Sequence, residues 1–398
     1  MNRRTALRAP WPWLAAGAAG VVVPSAAATV STGASTSVAK PVERLAAAWQ
    51  LQGPAAAPTG NPSSPLSHAV GVLQIDWMAA RVSIALSVPV PSRAHGLLAL
   101  ADGGFVALAN RPGRWLLRCG GDGAQQQLHT LAHETRTLNG HAVVSPDGRW
   151  LFTTETDPHT GHGWIGQRDL QTLALVAEFE SHGLDPHHLV WTAEGDLMVA
   201  NGGVTRDSLG RKQGDQALAS SLVQLDAHKG RLLGQWRLAD PQLSIRHLAW
   251  SVGPKAKPGL LGVALQAEHG SPAQRLAAPT LAVWNGEQLS LPSADARGGG
   301  YAGDIAPGPA GGFVLSAQKQ GRVLWWQPAL PAWMTVVAEV TEPCALVSSA
   351  DGNGFSLSAG RGAARWHAVA GAQMLRWPVA LAPDNHWVQL RHPPPLER

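Results

Sequence analysis

A chain of 398 residues, 45% of them hydrophobic, is long enough for a large core, and all-β or repeat architectures of this length stand as one unit. The formal charge of +4 rests partly on Arg3, Arg4 and Arg8; without them 31 − 3 = 28 Lys and Arg face 27 Asp and Glu, a balance near +1 with no basic run, which excludes a nucleic-acid surface. Only Cys119 and Cys344 are present, so a disulfide framework is excluded and at most one long-range bridge remains.

Residues 1–28 read as an export signal: Arg3 and Arg4, an apolar run over 14–23, and Ala26-Ala27-Ala28 as a small-residue cleavage site. The adjacent arginines mark it as the twin-arginine type, which exports folded protein and places this one in the periplasm. The apolar run is too short for a bilayer, which needs about 20 residues, and no later stretch reads as a span. Residues 29–65, rich in Ala, Ser, Thr, Pro and Gly, read as a linker, with one or two helical turns over 42–51.

From residue 66 to 398 short apolar runs alternate with Gly, Pro, Asp and Asn, an all-β pattern. A residue of metal-binding type heads six of these runs: His95, His141, His188, His247, Asp304 and Cys344, spaced 46, 47, 59, 57 and 40 residues apart. Gly103, Gly312 and Gly352 follow their leading residue by eight positions, and Gly148 and Gly195 by seven. Such a period, with several short strands per unit, is the signature of a WD40-like β-propeller. Residues 95–100, 104–110 and 114–119 make three strands of the first unit, and later units repeat the scheme. Strands near 70–77 and 81–88, with 374–390, complete a further blade from both ends of the chain and close the ring. Trp115, Trp164, Trp284, Trp325, Trp326 and Trp366 recur at third strands, where large side chains fill the space between sheets.

Equivalent positions of a propeller ring one axis, so the leading residues gather at one channel mouth. Neutral imidazole suits iron, copper, zinc and nickel. His95, His141, His187 or His188, and His247 are the candidate metal ligands, and Arg246, Glu155 and Cys344 the further ligand-binding candidates. The other reading makes the recurring histidine structural, bonded to backbone or to a carboxylate. Residues 202–220, an insertion between two strands, offer a recognition loop. No Gly-x-Ser-x-Gly elbow, His-Glu-x-x-His, Walker loop or Cys-x-x-Cys-His is present, so any catalysis draws on residues distant in sequence.

The stretches RAHG at 93–96, GHAVVSPDG at 140–148, TETDPHTGHGWIG at 154–166, SHGLDPHHL at 181–189, VANGG at 199–203, LSIRHL at 243–248 and DNHW at 384–387 resemble the domain of unknown function 1513 proteins. That resemblance implies a seven-bladed propeller exported by the twin-arginine route, with genes beside imelysin-like iron-regulated peptidases. It therefore points to a binding or accessory protein in metal acquisition, iron above all, with imelysin-like proteins as partners. In that family the position of His188 is often acidic, which leaves open whether His187 or His188 faces the channel. The expected cofactor is a transition metal, iron or copper, in a monomer. Two other functions use the same fold: a metal-assisted oxidoreductase or lactonase-like hydrolase at the mouth, and a protein-docking scaffold.

Overall fold

The structure, a computed structural model, describes residues 42–51 and 67–391 apart from residues 122, 124–125, 132–134, 208–209, 214–217, 252–258 and 294. These residues form seven four-stranded antiparallel sheets. Blade 1 comprises Ala94–Ala99, Phe105–Ala109, Trp115–Cys119 and Gln126–Thr130, and blade 2 Thr137–Val144, Trp150–Thr156, His162–Asp169 and Leu175–Leu184. Blades 3, 4, 5 and 6 begin with the inner strands Pro186–Trp191, Leu243–Trp250, Ile305–Pro307 and Leu346–Ser348. Blade 7 takes its inner strand, Leu381–Gln389, from late in the chain and its other three, Glu43–Leu51, Ser67–Asp76 and Arg81–Val90, from early in it. Each inner strand touches the next, and blade 7 touches blade 1, so the ring is closed.

The strand Glu43–Leu51 corrects the helical expectation for 42–51 and the linker boundary at 65. It lies between Leu381–Gln389 and Ser67–Asp76, hydrogen-bonded to both, with Leu45 to Trp49 buried. Ala46, Ala47 and Ala48 favour helix intrinsically, but two flanking strands and two covering blades override a weak local preference. The export signal and the rest of the linker lie outside the described residues.

Sequence and packing agree closely in the blades. Gly103, Gly148, Gly195 and Gly352 all adopt left-handed φ, which explains why the turns recur on glycine. In blade 5 the left-handed residues are Ala310 and Gly311, while Gly312 is extended and needs glycine because a Cβ there would fall 1.9 Å from the Trp326 carbonyl oxygen. Second strands such as Phe105–Ala109 and Phe313–Ala317 are buried throughout, whereas the fourth strand Gln126–Thr130 is largely exposed. Seven apolar clusters fill the seven junctions between blades. The tryptophans pack there as expected: Trp326 stacks on its cross-strand partner Phe313 and Trp366 on Phe355, each with centroids 5.7 Å apart. Cys119 is buried in the cluster between blades 7 and 1, and it is not bridged to Cys344. Among the described residues no helix is long and apolar enough to cross a membrane.

Phe313 is fully buried, and its ring fills the space above Gly262 of the preceding blade. Phe313→Ala is expected to destabilise the fold by about 3–5 kcal/mol, and Met78→Ala, at an exposed turn, by no more than about 0.5 kcal/mol, both read by chemical denaturation.

Candidate metal centre

Five inner strands carry a histidine, and each slips out of register where it stands. In blade 1, Ala94 pairs with Ala109 and Leu97 with Ala107, leaving His95 and Gly96 opposite Leu108 alone. Blade 2 sets Asn139, Gly140 and His141 opposite Thr154, and blade 4 sets Arg246 and His247 opposite Ala264. Blade 3 has His187 as its extra residue, and blade 7 has Asp384, Asn385 and His386 opposite Ala48. Bulges of this kind bend a strand and re-aim a side chain. The inner strands of blades 5 and 6 pair in register, and Asp304 and Cys344 stand just before them.

Four of these histidines meet. One ring nitrogen from each of His95, His141, His247 and His386 lies within 4.8 Å of all the others. Ring centroids are 4.7 Å apart for His95 and His141, 5.1 Å for His141 and His247, 4.6 Å for His247 and His386, and 4.7 Å for His386 and His95. All four side chains are buried. Glycine makes the approach feasible: a Cβ on Gly140, which has φ 101°, would fall 2.8 Å from the His95 ring. Both nitrogens of His95, Nε2 of His141, Nδ1 of His247 and Nε2 of His386 have no hydrogen-bond partner among the described residues. A first-row ion with bonds of about 2.0–2.1 Å holds tetrahedral nitrogens about 3.4 Å apart, so the set fits such an ion after closing by little more than roughly an ångström.

Charged groups stand one layer out. His386 Nδ1 lies 3.4 Å from Asp304, and His95 Nδ1 3.8 Å from Asp384, which Arg93 grips with two bonds of 2.6 and 2.9 Å. Burial works against the Asp384 charge, but His95 and Arg93 outweigh it and hold the carboxyl well below its usual range. Behind His247 stands His187, whose Nε2 lies 2.9 Å from His247 Nε2 and whose Nδ1 lies 2.9 Å from Arg111. A guanidinium only donates, so His187 Nδ1 accepts, its hydrogen sits on Nε2 and His247 Nε2 receives it; neutral His247 then carries its own hydrogen on Nδ1, and its lone pair is available only on Nε2. Asp185 takes Arg111 at 2.6 Å and Arg246 at 2.8 Å; burial alone would raise its pKa, and the arginines bring it down to about 2. Desolvation, and secondly neighbouring cations and histidines, push His141, His187 and His247 well below the ordinary imidazole value, and His95 to about 4. These rings are therefore neutral near pH 7, the form that binds metal.

The sequence profile of the family described as protein of unknown function (DUF1513) matches residues 88–390. The chain belongs to the DUF1513 family. Comparison with curated proteins gives no significant match. Among solved structures, the hydrazine synthase of Kuenenia stuttgartiensis is similar with a TM-score of 0.54 and 12% identity, over 79% of this chain and 93% of that one. A catalytically inactive histidine-to-alanine variant of virginiamycin B lyase from Staphylococcus aureus, with quinupristin, has a TM-score of 0.52 and 10% identity over 75% and 92%. A functionally unknown protein from Desulfotomaculum acetoxidans gives 0.53 and 9% over 82% and 96%. At these identities the likeness is one of fold.

Within this DUF1513 propeller three of the sequence-derived ligand candidates, His95, His141 and His247, come together, and the others do not join them. His187 has both nitrogens engaged, and His188 accepts the Leu248 backbone N–H at 3.2 Å, tying blade 3 to blade 4. Arg246 is buried on Asp185, and Glu155 is paired with Arg168 at 2.8 Å inside its own blade. The Cys344 thiol, pushed up to about 12 by burial and then by Asp384, Glu342 and Asp304, is protonated and donates to the Glu342 carbonyl at 3.2 Å. Sequence reasoning missed His386. The signal was there: 386 − 344 = 42 residues continues the period, and His386 stands inside the DNHW stretch.

Histidine pKa values lowered by burial have a consequence for stability. An unfolded histidine titrates near 6.5, while His95 is lowered to about 4 and His188 to about 3. Below pH 6.5 the unfolded chain binds protons that the fold refuses, so stability present above that value is lost as pH falls toward 4 and then 3. The urea midpoint of metal-free protein is expected to fall steadily from pH 6.5 to 4, with a shallower slope in His188→Gln; a midpoint flat across this window would contradict the assignment.

Proposed function

We propose that this propeller binds one first-row transition-metal ion through His95, His141, His247 and His386, as a metal-binding or accessory protein of the periplasm. The observation that carries it is the convergence of four buried histidines, of which His95, His141 and His386 keep a partnerless ring nitrogen, while His247 offers its lone pair on Nε2 once the His187 bond is released. Structural histidines elsewhere in the fold find partners: His182 bonds the Gly230 carbonyl, His367 Asp351, and His188 the Leu248 backbone N–H. A buried polar atom without a partner costs about 1–3 kcal/mol, and a metal ion removes that cost for His95, His141 and His386 together. Asp304 behind His386 and Asp384 near His95 supply the carboxylate-histidine arrangement that orients metal-binding imidazoles.

Copper and iron both accept imidazole, and the all-nitrogen set has greater intrinsic affinity for copper. A role in iron acquisition is supported by the family's gene neighbourhood alone, and periplasmic placement by the Arg3-Arg4 signal. The enclosure of all four rings favours a binding role over lactonase-like hydrolysis, because a bulky ester does not reach them. Protein purified from its native export pathway is expected to carry about one equivalent of metal by plasma mass spectrometry. His141→Ala and His386→Ala should each lose it, and Asp304→Asn should weaken binding by roughly 10–100-fold. His188→Ala should retain it. Wild-type protein that contains no iron, copper, zinc or nickel and takes up none in calorimetry would sink the proposal.

A further inference from the structure

The sheet edge of blade 3 faces a second feature that the four histidines do not use. Asp185, buried and in left-handed conformation with φ 52°, receives three guanidinium groups: Arg111 at 2.6 Å, Arg246 at 2.8 Å and Arg206 at 3.6 Å. Arg246 also approaches Glu268 at 3.8 Å, and Glu268 is shared with Lys212. Three largely buried arginines thus face Asp185 and Glu268, an excess of 3 − 2 = +1 among the described residues, with the half-exposed Lys212 as a further cation at the solvent side. His187 adds no negative charge, since it accepts from Arg111 as a neutral ring. Asp207 borders the same place, but Arg211 holds it at 2.7 Å.

Buried charge of one sign calls for a counter-charge. A cavity of about 30 Å³ opens beside this cluster, with Arg111, Arg206 and Asp185 in its wall. The neutral groups around it are occupied: Asn139 donates to Thr156 and to the Pro186 carbonyl at 2.8 Å each, and Thr137 donates to the Thr156 carbonyl. A guanidinium carries five N–H donors in a planar fork, and the Arg111 partners named above take only two nitrogens, so donors remain to face the cavity. Behind them the Nε of Arg246, a residue 1% exposed, has no partner. Space of this size holds about two water molecules, room for a small anionic group such as a carboxylate or bicarbonate.

We infer that this cavity is a binding site for a small planar oxyanion, a carboxylate or bicarbonate, held by Arg111 and Arg206. Planar oxygen pairs suit the fork geometry of arginine, and both oxygens are then satisfied by charged donors. The site goes beyond the metal reading, because the cationic excess belongs to the metal-free protein.

Calorimetry and thermal shift on chelator-treated full chain, at low ionic strength, with formate, bicarbonate and inorganic phosphate as probes, test it. Saturable binding of formate or bicarbonate is expected, weakened by about tenfold or more in Arg206→Gln and partly restored in Arg206→Lys. Arg206 lies at the rim, so the variant should melt as the wild type does without probe, and an Arg111→Gln variant gives a second reading of the same loss. His141→Ala should lose metal and keep the anion, whereas Arg206→Gln should keep metal and lose the anion, so the two sites fail separately. The inference is overturned if no probe binds saturably, if the arginine variants bind as the wild type does, or if phosphate binds as well as the planar anions.

Discussion

The candidate site depends on the local failure of strand pairing at the axis. Each sheet stands radially, turns its two faces to neighbouring blades, as the seven junction clusters show, and presents the edge of its inner strand to the centre. Side chains of a regular strand alternate between those two faces and do not point along the sheet. A side chain reaches the axis only where the backbone turns. The register slips at His95, His141, His187, His247 and His386 supply that turn, and blades 5 and 6, without a slip, contribute no ligand to the group.

Charge is arranged in layers around the result. The innermost layer is four histidine rings, and carboxylates approach them from behind: Asp304 at His386 and Asp384 near His95. Farther out, Arg93 locks Asp384, and at Asp185 three arginines outnumber the carboxylate. Low dielectric makes each such contact strong and each unpaired group costly, so the partnerless nitrogens at the centre contrast with the partnered rings of His182 and His367. Asp304 shows how a repeat position changes its task. It occupies the place of a leading histidine, yet its two oxygens take the backbone N–H groups of Ile305 and Leu346, and it reaches the site only through His386.

The period of the sequence was enough to reveal the propeller, because turn glycines and buried second strands obey local rules that repeat in every blade. It also revealed three of the four converging histidines. The rest was hidden for physical reasons. Residues 42–51 are a strand between Ser67–Asp76 and a partner, Leu381–Gln389, far away in sequence, and His386 belongs to a blade whose other strands lie some three hundred residues earlier, so no complete unit surrounds it to be counted. The choice between His187 and His188 turned on a one-residue slip, which no period records. Arg246, Glu155 and Cys344 carry suitable chemistry, but their partners Asp185, Arg168 and Glu342 claim them in the folded chain.

Closure of blade 7 gives the site an order in time. Three of the converging histidines, His95, His141 and His247, belong to inner strands that leave the ribosome early, while His386 rides on the inner strand that is made last and must insert between Glu43–Leu51 and blade 1. A nascent chain therefore holds an incomplete set of donors until Leu381–Gln389 has been made. The same strand that seals the ring delivers the fourth imidazole, so ring closure and completion of the site are one event, and a chain stalled short of Leu381 has neither.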